Sequence, residues 1–210
     1  TAGARERFRV DEVYESGEYT GMIKEILREH VTLYMDLYSD SPRCIEAKNA
    51  AHSLHGTRGV KRHIRAIRDV TYLIRTLRLI KSYEEIETIK TAIEITAEAH
   101  HRAMRECRAG MHEYQLQAAR SYIFLNTGAH AEAYGAIVAG GNHANTLHYV
   151  DNRDELHDGD LVLIDAACEW ELYASDITRT FPVNGKFSDA QREVYEKVLE
   201  VQLRVIEAIR

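Results

Sequence analysis

The chain is poor in the residues that punctuate or staple a fold. Its 210 residues include 2 prolines, 3 cysteines and 1 tryptophan. With 45% hydrophobic and 29% charged residues, that composition excludes a collagen-like chain and a disordered one. Cys44, Cys107 and Cys168 lie 63 and 61 residues apart, with no CxxC pair and no zinc spacing. A disulfide-dense miniprotein is excluded, and so sparse and odd a count fits a reducing compartment, hence a cytoplasmic location. Apolar runs such as Leu161 to Ile164 fall far short of the roughly 20 residues that span a bilayer, so no membrane partner is expected. No signal-peptide pattern follows Thr1. There is no GxxxxGK[ST] phosphate loop, no GxSxG elbow and no internal repeat.

Charge is present but uneven. The net charge is −6, which does not mark the whole chain as a polyanion binder. Residues 43–81 nevertheless carry ten Lys or Arg against Glu46 and Asp69. A basic block can contact nucleic acid, but no aromatic interleaving or nucleic-acid motif accompanies this one. It reads better as a solvated helix or connector, and no nucleic-acid partner is expected.

Hydrophobic spacing supplies the elements. Met22, Ile23, Ile26 and Leu27 have helical spacing within Glu18 to Glu29, and Val31 to Met35 reads as a strand. Ser82-Tyr-Glu-Glu85 is a capping box that opens a helix ending near Gly110. A second helix covers Glu113 to Asn126, with Gly128 just beyond. Extended segments are expected at Ala136 to Ala139, Thr146 to Tyr149 and Leu161 to Ile164, the last with a hairpin partner over Leu172 to Thr180. Asp158-Gly159 and Asn184-Gly185 are turn signals. Two helices followed by β-hairpins imply an α+β class. Ser188 to Gln191 caps a last helix with apolar Val194, Val198, Val201, Val205 and Ile206. The chain begins at Thr1 rather than Met and stops at Arg210 without a helix stop signal. The expectation is a fragment whose final helix needs a partner for its apolar face.

Three polar residues in the β region are candidates for chemistry. Asp165 directly follows four apolar strand residues, where a carboxylate is costly unless paired or bound to metal. Asp176 lies on the presumed partner strand, and a turn near Glu169-Trp170 would put both carboxylates on one face. A cation between them would relieve their repulsion. His148 sits in the preceding extended segment. Each has a plainer explanation: Asp165 can cap a turn, Asp176 can pair with Arg179, and a lone histidine is more often structural. By spacing alone these plainer explanations outweigh the metal pair. His143 and His148 have no further partners at zinc spacing.

Several segments together resemble the aminopeptidase P (Xaa-Pro aminopeptidase) family. They are Arg78-Leu-Ile-Lys-Ser82 with Glu84-Glu85-Ile86, and Val138-Ala-Gly-Gly-Asn142 with Asn145-Thr-Leu-His-Tyr149. The most specific are Asp158-Gly-Asp-Leu-Val-Leu-Ile-Asp165 and Ser175-Asp-Ile-Thr-Arg-Thr-Phe-Pro-Val-Asn-Gly185. The resemblance implies a pita-bread catalytic fold over 78–210, here its first half only. Residues 1–77 would be the remnant of an α/β N-terminal domain with a basic connector. It implies two divalent metal ions, most often Mn2+, with Asp165 and Asp176 as two of five protein ligands. His148 matches a non-ligand catalytic histidine that contacts the substrate. The implied reaction is removal of an N-terminal residue preceding proline, through attack by a hydroxide shared between the two metals. The remaining ligands would lie beyond Arg210, so this chain alone is expected to be inactive. The implied partners are peptides with proline at position two and, in the complete protein, further copies of itself. Tyr83 and Ala167 stand where the family often has Pro and Gly. Two alternatives remain: a prolidase acting on Xaa-Pro dipeptides, and a non-catalytic pita-bread binding module.

Overall fold

The computed structural model describes residues 2–55 and 64–209. The chain divides into two compact units, Thr1–Ile80 and Lys81–Arg210.

In the first unit, α1 (Ala2–Phe8) and α2 (Tyr19–Leu27) precede β1 (Thr32–Met35), α3 (Pro42–Leu54), β2 (Ala66–Asp69) and α4 (Thr71–Leu79). Strands β1 and β2 are parallel, with Thr32 opposite Ala66 and Met35 opposite Asp69. Parallel neighbours need a crossover, and α3 supplies it. The Ser41 side chain accepts from the Cys44 N–H at 3.2 Å, and Pro42 occupies the first helical turn, where its missing N–H costs nothing. Leu27, Ala50, Ala51, Leu54 and Ile64 form the buried core of this unit. The basic block covers parts of α3, β2 and α4, and residues 56–63 within it lie outside the described ones.

The second unit is built on α5 (Tyr83–Glu106) and α6 (Glu113–Thr127). The Ser82 capping box forms in full, and Gly128, at φ 83°, ends α6 in the left-handed conformation that lacks a Cβ penalty only for glycine. Two three-stranded sheets follow. One is ordered β3 (Ala131–Glu132), β6 (Cys168–Trp170), β7 (Tyr173–Ala174). The other is ordered β4 (Ile137–Gly140), β5 (Leu161–Asp165), β8 (Thr178–Pro182). Every adjacent pair is antiparallel. Val138, Val162 and Ile164 alternate inward along their strands and pack with Ala103, Leu116, Leu156 and Val183. On α5 the buried residues are Ala92, Thr96, Ala99, His100 and Ala103, a helical stripe of mostly small side chains. Small residues there let the helix backbone lie close to the strands.

Two expectations for strands are corrected. Thr146 to Tyr149 is not extended: it follows a 3-10 helix over Gly141–Asn145 and turns, with the Thr146 N–H donating to His143 O at 2.9 Å. Apolar and β-branched content mimicked a strand, but no neighbouring strand pairs with it among the described residues. The hairpin partner of β5 is also different. The chain leaves β5 at Ala166-Ala167, makes the short β6–β7 hairpin in the other sheet, and returns as β8, with Asp165 opposite Thr178. The short hairpin turns at Glu171-Leu172, not at Glu169-Trp170. Helix α7 (Asp189–Ala208) opens with the expected capping box and leaves Val194, Val198, Val201, Val205 and Ile206 exposed.

The Glu171-Leu172 turn is strained by its residue types. Both have positive φ, 48° and 68°, in a two-residue connection between Trp170 and Tyr173. That geometry belongs to Asn-Gly, and non-glycine residues pay about 1–2 kcal/mol each in the left-handed region. The double replacement Glu171→Asn, Leu172→Gly is expected to stabilise the chain by about 1 kcal/mol in urea unfolding, with an unchanged m-value. A lowered midpoint would show that the Leu172 side chain, 82% exposed, contributes more than the turn costs.

Candidate metal centre

The two aspartates meet because the chain changes sheets twice. Asp165 ends β5 just before the first change, and Asp176 lies just before β8, after the second. The crossing is held by backbone bonds: the Ala166 N–H donates to Ile177 O at 3.1 Å, and the Ala133 N–H donates to Ala167 O at 2.9 Å. Helix α5 pins it from beneath. Thr96 Oγ1 lies 2.8 Å from Ser175 Oγ and accepts from the Cys168 N–H at 3.1 Å. His100 Nε2 lies 3.2 Å from Ala166 O. A carbonyl only accepts, so Nε2 must carry the hydrogen. Burial pushes the His100 imidazolium down from its usual range, which suits this neutral donor.

Tyr134, from the β3–β4 connection, completes the cluster. Its hydroxyl lies 2.6 Å from Asp165 Oδ1 and 3.0 Å from Asp176 Oδ1. Burial, then the two carboxylates, hold the phenol proton on Tyr134 well above the ordinary tyrosine range. One hydroxyl has one proton to share between two acids. The cluster therefore keeps an excess of oxygen lone pairs and negative charge. Among the described residues no ion pair joins Asp176 to Arg179, whose guanidinium donates instead to Thr178 O at 2.8 Å. Asp165 is half-buried and Asp176 is exposed.

These donors fit a divalent cation. They are hard oxygens, the type preferred by Mg2+, Ca2+ and Mn2+. They form part of a site: among the described residues no group of three or more His, Cys, Asp or Glu is placed to hold a metal ion.

His148 is not in an extended segment. It sits in the turn after the 3-10 helix, exposed, with φ 54°. Histidine is among the few non-glycine residues enriched in that region. His143 lies apart from it in role: its ring stacks on Tyr149 at 4.5 Å and lies 3.4 Å from both Glu113 Oε1 and Asp154 Oδ2.

Reasoning from sequence missed Tyr134, Thr96 and Ser175. Their only local signals are a tyrosine before Gly135 and hydroxyls near apolar positions, which are common in any sequence. If the phenol holds the carboxylate pair in place, Mn2+ added to this chain will broaden the backbone NMR signals of Tyr134, Asp165 and Asp176 first. Tyr134→Phe will then require about 10-fold more Mn2+ for the same broadening. Broadening spread evenly over the acidic surface would show that the pair has no preference for the ion.

Comparison with known proteins identifies the family. The pattern of Metallopeptidase family M24 matches residues 87–210. The Xaa-Pro aminopeptidase of Haemophilus influenzae is 40% identical over 210 residues, covering 98% of this chain and 46% of that protein. The Xaa-Pro aminopeptidase of Escherichia coli is 54% identical over 128 residues, 61% of this chain and 29% of that protein. Among solved structures, proline aminopeptidase P II from Yersinia pestis superposes with a TM-score of 0.88 at 42% identity, over 94% of this chain and 45% of that one. The low-pH form of aminopeptidase P from Escherichia coli superposes with a TM-score of 0.90 at 40% identity, over 95% of this chain and 46% of that one. The chain thus spans less than half the length of these relatives, and its α+β architecture is that of the aminopeptidase P structures, the pita-bread fold. On the match to more than half of its residues, the chain belongs to Metallopeptidase family M24.

Proposed function

We propose that this chain is part of an Xaa-Pro aminopeptidase, a metallo-exopeptidase that removes an N-terminal residue preceding proline. The observation that carries this reading is the meeting of Asp165 and Asp176 on the Tyr134 hydroxyl. It occurs in a chain 40% identical, over almost all its length, to a protein of that name. Asp165 and Asp176 would hold two divalent ions, with Mn2+ the favoured metal. When bound, such ions polarise the scissile carbonyl and activate water at neutral pH.

The chain's own residues supply the rest. Tyr134 keeps the two carboxyl groups together and retains its proton, so it remains a donor to them. His148, on an exposed turn, would donate a hydrogen bond to the scissile carbonyl oxygen as negative charge develops there. A proline imide nitrogen carries no N–H, and its ring fixes φ, so a pocket shaped to the ring can select position two of the substrate. With only part of the donor set in place, the 210-residue chain alone would bind metal weakly and hydrolyse little. The free state of Cys44, Cys107 and Cys168 supports a reducing, cytoplasmic setting. No described helix is long and apolar enough to cross a membrane. In the complete protein we favour a homo-oligomer.

The test uses the full-length protein, loaded with Mn2+, on Xaa-Pro-Xaa tripeptides and Xaa-Pro dipeptides, with products read by mass spectrometry. Release of the N-terminal residue from tripeptides is expected. Turnover should be lost with EDTA, restored by Mn2+, and absent in Asp176→Ala. His148→Ala should lower kcat by about 100- to 1,000-fold, the usual loss for a donor to a developing oxyanion. Cleavage confined to dipeptides would make the protein a prolidase. No cleavage, with peptide binding retained, would make it a binding module.

A further inference from the structure

A second polar cluster lies outside the aspartate pair, and the reaction as described does not use it. Glu113 is fully buried at the first position of α6. A buried acid is costly unless its oxygens are satisfied, and here both are. Oε1 accepts from the Gly140 N–H at 2.8 Å. Oε2 accepts from the Asp154 N–H at 3.0 Å and from the Tyr149 hydroxyl at 2.8 Å. His143 Nδ1 is 3.4 Å from Oε1, with the His143 ring stacked on Tyr149. The Glu113 N–H in turn donates to Asp154 O at 3.0 Å.

The four groups that meet Glu113 share one feature. They all belong to the segment 140–154, and Gly140 and Asp154 are its two ends. One side chain therefore closes the loop on itself. Gly140 lets the strand end lie close to the helix: a Cβ there would stand 2.5 Å from Leu156 Cδ2, so the Leu156 side chain would have to shift, and 3.5 Å from Glu113 Oε1. Asn152 adds a second tie from the same loop: its side chain accepts from the Val138 N–H at 2.8 Å and donates to Ala136 O at 2.8 Å. Within this closed loop the exposed residues include Leu147 and His148, and His148 holds a positive φ that a free chain would leave.

We propose that Glu113 is a positioning residue for His148: its buried carboxyl ties the two ends of the 140–154 loop and Tyr149, and so fixes where the histidine is presented. This rests on the reading of His148 given above. Glu113 touches neither the aspartate pair nor His148 itself, so it acts through the loop. Its loss should change how often His148 is in place, and should leave metal binding and substrate affinity near their normal values.

The test has two arms. In the 210-residue chain, 15N heteronuclear NOE values for residues 141–153 should fall in Glu113→Gln while those of α5 and α6 keep their wild-type values. Tyr149→Phe, which removes one bond from the same carboxyl, should do the same to a smaller extent and guards against a folding failure in the first variant. In the full-length enzyme with Mn2+, Glu113→Gln should lower kcat about 10-fold or more with KM within about 2-fold, because a misplaced group costs rate rather than binding. Glu113→Asp, which keeps a carboxyl, should recover part of that loss. The double variant Glu113→Gln, His148→Ala should be no slower than His148→Ala alone.

Losses that multiply in the double variant would overturn the proposal, since Glu113 would then act independently of His148. Loop NOE values unchanged in both single variants would overturn it as well. If His148→Ala keeps full turnover, the functional reading of His148 fails, and the catalytic part of this proposal fails with it. The NOE values still decide in that case whether Glu113 closes the loop.

Discussion

The second unit depends on one local constraint: a strand that changes sheets twice must be held at both crossings. At Ala166-Ala167 and again at Ser175 to Ile177 the backbone leaves a regular ladder, and its polar groups need other partners. Backbone bonds across the crossing satisfy some of them, and Thr96 and His100 on α5 satisfy others. This explains why polar residues stand in an otherwise small, apolar stripe of that helix. It also explains why two aspartates 11 residues apart arrive at one place. Each is adjacent to a crossing, and the crossings are bonded to each other.

Electrostatics follows from that placement. The crossing sets down two acids where strand pairing alone would have separated them, and Tyr134 supplies one proton between them. Such a cluster is unfavourable by itself and favourable with a cation. The second acid cluster is organised in the opposite way. Glu113 is met by two backbone N–H groups and a tyrosine hydroxyl, so its needs are met inside the protein. That bonding with Glu113, together with burial, pushes the Tyr149 hydroxyl up to about 12, burial being the larger cause, and so keeps it a donor. One acid cluster has a single hydroxyl donor and the other has its oxygens satisfied within the protein. The difference lies in the number of donors around each carboxyl, not in the residue types.

Membership of Metallopeptidase family M24 gives these two clusters a common setting, since β5, β8 and the 140–154 loop all lie within the matched residues. The loop and the aspartates are supplied by neighbouring parts of one sheet: β4 leads into the loop, and its neighbour β5 leads into the crossing. The chain accounts for less than half the length of these relatives.

The sequence by itself determined the helices, their caps and the main buried strands. Ser82, Ser188 and Gly128 act through hydrogen bonds and backbone angles within a few residues, so their signals are local and survive any tertiary context. Asp165 and Asp176 were legible as candidates because one ends an apolar strand and both lie in segments that resemble one family. Their actual meeting was not, because the sheet change between them depends on pairing partners that local periodicity does not name. Tyr134, Thr96 and Ser175 were invisible for the same reason: each matters through a contact with a residue 31 to 79 positions away. The turn at His148 has the composition of a strand without being one, because β-branched and aromatic content reports burial and pairing only when a partner strand exists. The tertiary structure alone decided that Glu113, from the start of a helix, would accept from both Gly140 and Asp154 and so tie the ends of the 140–154 loop, because that contact joins residues 27 and 41 positions apart.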